Sequence, residues 1–157
     1  APPNSELRTF AAQFVQKHGR IRIEDVVSGI GIGNLLDYAI GLYGGEPPPS
    51  DIPAGAYVLR NAASDQACEA VLDWFALSTG SVIGDVITRS LATQIWLCGG
   101  VAQKWGAVLQ RPSFREGLYS KSPMNHLIEQ CQITLSLHPQ LGLLGAASIA
   151  EALCTPS

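Results

Sequence analysis

Apolar residues recur at three- and four-residue intervals over most of this chain, and only two segments break that rhythm. Leu7, Phe10, Ala11, Phe14 and Val15 share one face of a helix that Asn4 or Ser5 would cap and Gly19 would stop. After a short connector (20–27) and the glycine-rich run Ser28-Gly29-Ile30-Gly31-Ile32-Gly33, a second helical pattern follows through Leu35, Leu36, Ala39, Ile40 and Tyr43. Gly44-Gly45 ends it, and 46–55, with Pro47-Pro48-Pro49 and Pro53, is predicted as a surface loop. Asp65 opens the longest predicted helix, running to about Leu91, with Ala67, Ala70, Val71, Trp74, Phe75, Val82, Ile83, Val86 and Ile87 in register. Such a helix is on the order of 40 Å long. Gly80, Ser81 and Gly84 weaken its propensity but let another element approach closely.

The first break is Thr93-Gln94-Ile95-Trp96-Leu97-Cys98-Gly99-Gly100-Val101. Its three consecutive bulky residues predict a strand that wants burial on both faces, as in the middle of a parallel sheet. Ligands of open α/β sheets sit beyond the carboxyl ends of the strands, and a glycine pair there lets backbone approach a bound group. A helix is expected near 103–109, Pro112 as a break, and short helical pieces around 114–119 and 124–130. The second break, 132–138, alternates Ile133, Leu135 and Leu137 against Gln132, Thr134 and Ser136, which predicts a half-buried strand. A small-residue-rich helix over 142–153 closes the chain. Two strands make an incomplete sheet, with free edges and an uncovered apolar face. Further strands, or the rest of a larger molecule, are needed.

Composition narrows the class. The chain has 157 residues, 46% hydrophobic and 15% charged, which fits one well-buried domain and not a disordered chain. A net charge of −3 without a basic cluster argues against nucleic-acid or anionic-membrane partners. The apolar stretch 74–84, between Asp73 and Asp85, is too short to span a bilayer, and residues 1–6 lack the features of a signal peptide. Cys68, Cys98, Cys131 and Cys154 form no C-x-x-C pair. They read as reduced core residues of a cytoplasmic protein; zinc binding is the sharper alternative, without ligand spacing to support it. No G-x-S-x-G elbow and no Walker-type Gly-Lys-Ser/Thr is present, and Gly29-x-Gly31-x-Gly33 has the wrong spacing for a dinucleotide fingerprint. His18, His126 and His138 are far apart and read as structural.

Five segments, in order, resemble the C-terminal half of bacterial-type glucokinases. Ala1-Pro2 with Glu6 is similar to their Ala-Pro-x-x-x-Glu start, and Glu24-Asp25-Val26-Val27-Ser28-Gly29-Ile30-Gly31 to their glutamate-led Ser-Gly-Pro-Gly segment, with isoleucine replacing proline. Ile95-Trp96-Leu97-Cys98-Gly99-Gly100-Val101 resembles their adenosine motif, with Cys98 where alanine is common. Pro112-Ser113-Phe114-Arg115 and His138-Pro139-Gln140-Leu141-Gly142-Leu143-Leu144-Gly145-Ala146-Ala147 resemble the two segments that follow.

The resemblance implies an α/β fold: the helix-rich C-terminal lobe of an actin-like (ribonuclease H-like) ATPase. Few strands are expected because the sheet is incomplete. Residues 1–157 would be part of the large domain, with the N-terminal lobe absent. It also implies phosphoryl transfer from ATP, with Mg²⁺, to the 6-hydroxyl of glucose in a cytoplasmic homo-oligomer. The phosphate loops, catalytic aspartate and Glu-x-Gly-His sugar motif of that family have no counterpart here, so no catalytic or metal-binding residue is assigned and the chain alone is expected to be inactive.

Glu24 aligns with a family glutamate that binds sugar hydroxyls, a task suited to a carboxylate because it accepts from two vicinal hydroxyls. The plainer reading of Glu24 is an exposed acid beside a helix start. Gly99, Gly100 and Val101 are the implied adenosine-binding residues, and the plainer reading there is an ordinary strand-ending turn. An alternative for the whole chain is a non-catalytic half-kinase module that binds a nucleotide or a partner.

Overall fold

The computed structural model describes residues 4–154, and the first three residues of the Ala-Pro-x-x-x-Glu segment lie outside them. Helix α1 (Ser5–His18) begins where Asn4 Oδ1 accepts from the Leu7 amide at 2.7 Å and ends at Gly19, whose φ of 78° is the left-handed conformation glycine tolerates best. Leu7 and Phe10 from its apolar face are buried; Phe14 is half-buried and Val15 exposed. A 3₁₀ turn (Ile23–Asp25) leads to helix α2 (Gly29–Tyr43). The glycine-rich run is therefore not a loop ahead of the helix but its first turn. Ser28 caps it by accepting from the Gly31 amide at 3.0 Å.

Helix α3 (Ala54–Asn61) has no counterpart in the sequence prediction. The proline loop before it and the polar residues after it hide an eight-residue pattern whose one fully buried side chain is Val58. Helix α4 (Gln66–Ser90) matches its predicted bounds within a residue. Asp65 caps it through bonds from the Ala67 and Cys68 amides at 2.8 and 3.1 Å. Val71, Trp74, Phe75, Ile83 and Ile87 are buried against helices α2 and α3 on one side and α6 (Pro112–Leu118) on the other. By length and composition α4 could cross a membrane, because the helix continues past Asp73 and Asp85; most of its apolar window is buried inside this fold.

Glycines set the spacing between α4 and α6. A Cβ built on Gly80 would overlap the Phe114 carbonyl oxygen, and one on Gly117 would overlap the Leu77 carbonyl oxygen. The two backbones touch. Pro112 does not break a helix; it occupies the first turn of α6, where its missing N–H costs nothing.

Strands β1 (Gln94–Leu97) and β2 (Gln132–Leu135) pair in parallel, Gln94 opposite Gln132 through Leu97 opposite Leu135. Between them run α5 (Gly100–Trp105), the 3₁₀ turn Val108–Gln110, α6 and α7 (Asn125–Glu129). Ile95 and Leu97 pack toward the helices, whereas Trp96 is 62% exposed. The expectation of burial on both faces fails here because nothing described covers the second face. Helix α8 (Leu141–Cys154) likewise has no buried residue, with Leu143, Leu144, Ile149 and Leu153 all exposed. Of the cysteines only Cys68 is in the core; Cys98 and Cys154 are exposed and Cys131 half-buried, all four as free thiols. The prediction of four core cysteines is corrected by the same uncovered face, since Cys98 follows β1 and Cys154 ends α8.

Candidate functional site

The parallel register brings the carboxyl ends of β1 and β2 side by side, and the Ser136 amide donates to the Leu97 carbonyl at 2.8 Å. Beyond β1 the chain turns at Gly99, with φ 98° and ψ 174°, a conformation that disfavours any side chain. Gly100 opens α5, and no atom stands within 4 Å of where a Cβ would sit on either glycine. Their surface is open. The Gly99 carbonyl accepts from the Gln103 amide at 3.1 Å, and Val101 is half-buried against the core.

Gln103, on the next turn of α5, donates through Nε2 to the His138 carbonyl at 3.0 Å. The His138 ring accepts at Nδ1 from the Gln140 amide at 3.2 Å, and Gln140 in turn accepts from the Leu144 amide at 3.0 Å. Two segments 35 residues apart are thus joined at one end of the sheet, the glycine turn on one side and the loop into α8 on the other. Backbone without side chains beside the carboxyl ends of parallel strands is the geometry that admits a planar, phosphate-bearing ligand. Gln103 was missed by periodicity, which records only that it is polar; His138 was read as a strand end, and the structure makes it the link to α8.

Glu24 lies elsewhere, in the 3₁₀ turn between α1 and α2, with its side chain 66% exposed. Its partner is Arg22, whose Nη1 is 3.1 Å from Glu24 Oε1. Arg22 also donates to Asp25 three times: the amide to Oδ2 at 2.7 Å, Nε to Oδ2 at 3.1 Å and Nη2 to Oδ1 at 2.8 Å. Asp25 is one of the few buried polar side chains. The Arg22 side chain and amide hold its carboxyl below the usual carboxylate range, while Asp25, with smaller help from Glu24, raises the Arg22 guanidinium. Asn34 Nδ2 donates to the Asp25 carbonyl at 2.9 Å, and Ser28 Oγ to the Glu24 carbonyl at 2.6 Å. A Cβ on Gly31 would overlap the Val26 backbone, so the turn is pressed onto the first turn of α2. Behind it an open cleft of about 280 Å³ is walled by Leu7, Phe10, Ile21, Ile23, Val26 and Val82 among others. Arg22 and Asp25 were not singled out in the sequence; their i, i+3 spacing ahead of Ser28 is the signal that was available.

Glu6, the described end of the Ala-Pro-x-x-x-Glu segment, is a structural anchor. It accepts from the Tyr43 hydroxyl at 2.6 Å and from the Trp74 indole at 3.1 Å, tying α1 to α2 and α4.

Comparison with known proteins gives these segments a context. A family model described as Glucokinase matches residues 1–153. A glucokinase of Zymomonas mobilis is 31% identical over 137 residues, covering 87% of this chain and 42% of that protein. One from Rhizobium leguminosarum is 32% identical over 134 residues, covering 85% and 39%. The chain therefore spans about two-fifths of the length of the curated relatives it matches. Among solved structures, a glucokinase from an Antarctic psychrotroph superposes with a TM-score of 0.77 at 24% identity, over 95% of this chain and 47% of that one. That likeness establishes that the chain shares the fold of the matching part of that glucokinase.

Proposed function

The chain belongs to the glucokinase family as its C-terminal part, and we propose that it supplies the adenosine floor and one sugar ligand of an enzyme that phosphorylates glucose. The observation that carries this reading is the open Gly99–Gly100 turn at the carboxyl ends of the parallel strands, joined through Gln103 and His138 to the loop before α8. ATP, when bound, supplies the phosphoryl group and the energy of its transfer. Gly99 and Gly100 approach the adenosine with backbone alone, and Val101, anchored in the core, fixes the floor of the site. Glu24 accepts hydroxyl hydrogens of glucose and orients the sugar, leaving the 6-hydroxyl for a base supplied outside these residues.

No ligand of the Mg²⁺ that accompanies ATP is assigned to these residues. Among the described residues no group of three or more His, Cys, Asp or Glu side chains could hold a metal ion. No step of this chain's chemistry is therefore routed through Mg²⁺. We further propose a cytoplasmic homo-oligomer, a reading supported by the need for ATP and by exposed free thiols such as Cys98 and Cys154, which that compartment keeps reduced.

The test is ligand binding by the chain itself. ATP should move the amide resonances of Gly99, Gly100 and Val101, glucose those of residues 23–25, and a coupled assay should detect no glucose phosphorylation by the 157 residues alone. Saturating ATP that shifts other residues while leaving this turn unmoved overturns the assignment.

A further inference from the structure

Glu24 poses a physical problem as a ligand. A glutamate two-thirds exposed samples several rotamers, and fixing such a side chain costs conformational entropy when a ligand arrives. The structure removes much of that freedom in advance. Arg22 Nη1 sits 3.1 Å from Oε1 of Glu24, which occupies one carboxylate oxygen and leaves Oε2 for a hydroxyl. The guanidinium cannot follow Glu24 about, because its Nε and Nη2 are forked onto the two oxygens of buried Asp25. The Asp25 backbone is held in turn by Asn34 of α2. A rigid helix therefore reaches the carboxylate through Asn34, Asp25 and Arg22.

The Arg22–Asp25 bonds cap the turn and stabilise it, but a role in stability explains the contact with Glu24 poorly. With Arg22 52% and Glu24 66% exposed, their direct ion pair contributes little in water. A lysine would supply the same charge without the planar fork that grips Asp25 and Glu24 together. We propose that Arg22 is a positioning residue that holds the Glu24 carboxylate in one orientation for sugar binding, with Asp25 fixing Arg22. The proposal rests on the reading of Glu24 as a sugar ligand.

The experiment is a glucose titration of the full chain followed by NMR at residues 21–28, with ATP-induced shifts at Gly99–Val101 recorded in parallel. Glu24→Gln and Arg22→Gln should each raise the glucose Kd about tenfold, and Arg22→Lys should fall between them and the parent. In the Glu24→Gln background, Arg22→Gln should add nothing further. ATP shifts and the α2 amide spectrum should be unchanged in every variant, a pattern that general damage to the fold would not produce. If Glu24→Gln weakens glucose binding and Arg22→Gln does not, the positioning role is overturned and the sugar reading stands. Arg22→Lys binding like the parent overturns the requirement for the fork. Should glucose leave residues 21–28 unmoved, or Glu24→Gln bind it unchanged, the sugar reading itself fails and takes the inference with it. Altered α2 shifts in Arg22→Gln would overturn the separation of orientation from folding, and Asp25→Asn, which keeps both Arg22 and Glu24, then decides by the same glucose readout.

Discussion

Gly80 in α4 lies against the carbonyl oxygen of Phe114 in α6, with no room between them for a single carbon. Gly117 makes the reciprocal contact with Leu77. Alanine at either position must push two helices apart along their whole contact, and overpacking of this kind costs about 1–3 kcal/mol, here at the upper end because backbone is the obstacle. Chemical denaturation of Gly80→Ala and Gly117→Ala should show that loss. Gly41→Ala in α2, where nothing stands within 4 Å, should instead gain roughly 0.5–1 kcal/mol.

Tyr43 makes a second measurable contribution. The hydrogen bond to Glu6, then burial, pushes its hydroxyl up to about 12. A tyrosine raised in the folded state binds its proton more tightly there than in the unfolded chain. Its contribution is thus complete below pH 10 and disappears as pH rises through about 12. Tyr43→Phe should cost about 1–2 kcal/mol at neutral pH and flatten stability between pH 10 and 12, read from urea midpoints across that range.

At the acid end the informative residue is Asp73. Burial works to raise its pKa, but hydrogen bonds from Arg111 Nε at 2.8 Å and Ser113 Oγ at 2.9 Å outweigh it, and the net shift is downward. A carboxyl lowered on folding stabilises above its unfolded pKa, and that support is lost as pH falls through the folded value. Arg111 also pairs with Glu69, so it fastens two turns of α4 to the start of α6. Because Asp73 is about half exposed, Asp73→Asn should cost only about 1 kcal/mol at pH 7. It should also reduce the loss of stability below pH 4 in acid titrations followed by circular dichroism.

The uncovered apolar surface predicts self-association. Leu143, Leu153 and Trp96 are 70, 81 and 62% exposed. Sedimentation of the chain should show concentration-dependent association, and Leu143→Glu with Leu153→Glu should reduce it without lowering the thermal midpoint. Unchanged association in the double variant would place the contact elsewhere.

Helix bounds were legible wherever local chemistry punctuates the chain. Asn4 and Gly19 bracket α1, and Asp65 opens α4, because capping depends on side chains one to three residues from the backbone they satisfy. The apolar run 95–97 pointed to a parallel sheet, but that β1 pairs with the alternating strand β2 is visible only in the structure. What stayed hidden depends on neighbours. α3 buries too little to leave a periodic trace, and Pro112 marks a helix start as readily as an end. Trp96 is apolar, yet whether it is covered depends on atoms outside this stretch of chain. For the site, Glu24 and the glycine turn were visible as segments of a family motif, whereas Arg22, Asp25 and Gln103 acquire meaning only from the distances that join them.

Helix α4 touches α2, α3, α6 and α7, so most of the core is built around one rod. Amide protons near its middle, around Phe75 and Ala76, can reach solvent only when that whole assembly comes apart, and their deuterium exchange reports global unfolding. Those of α8, which buries no side chain, exchange through opening of that helix alone. A protease acting on the native chain therefore trims it from the carboxyl side and leaves the rod with its surrounding helices as the resistant remnant.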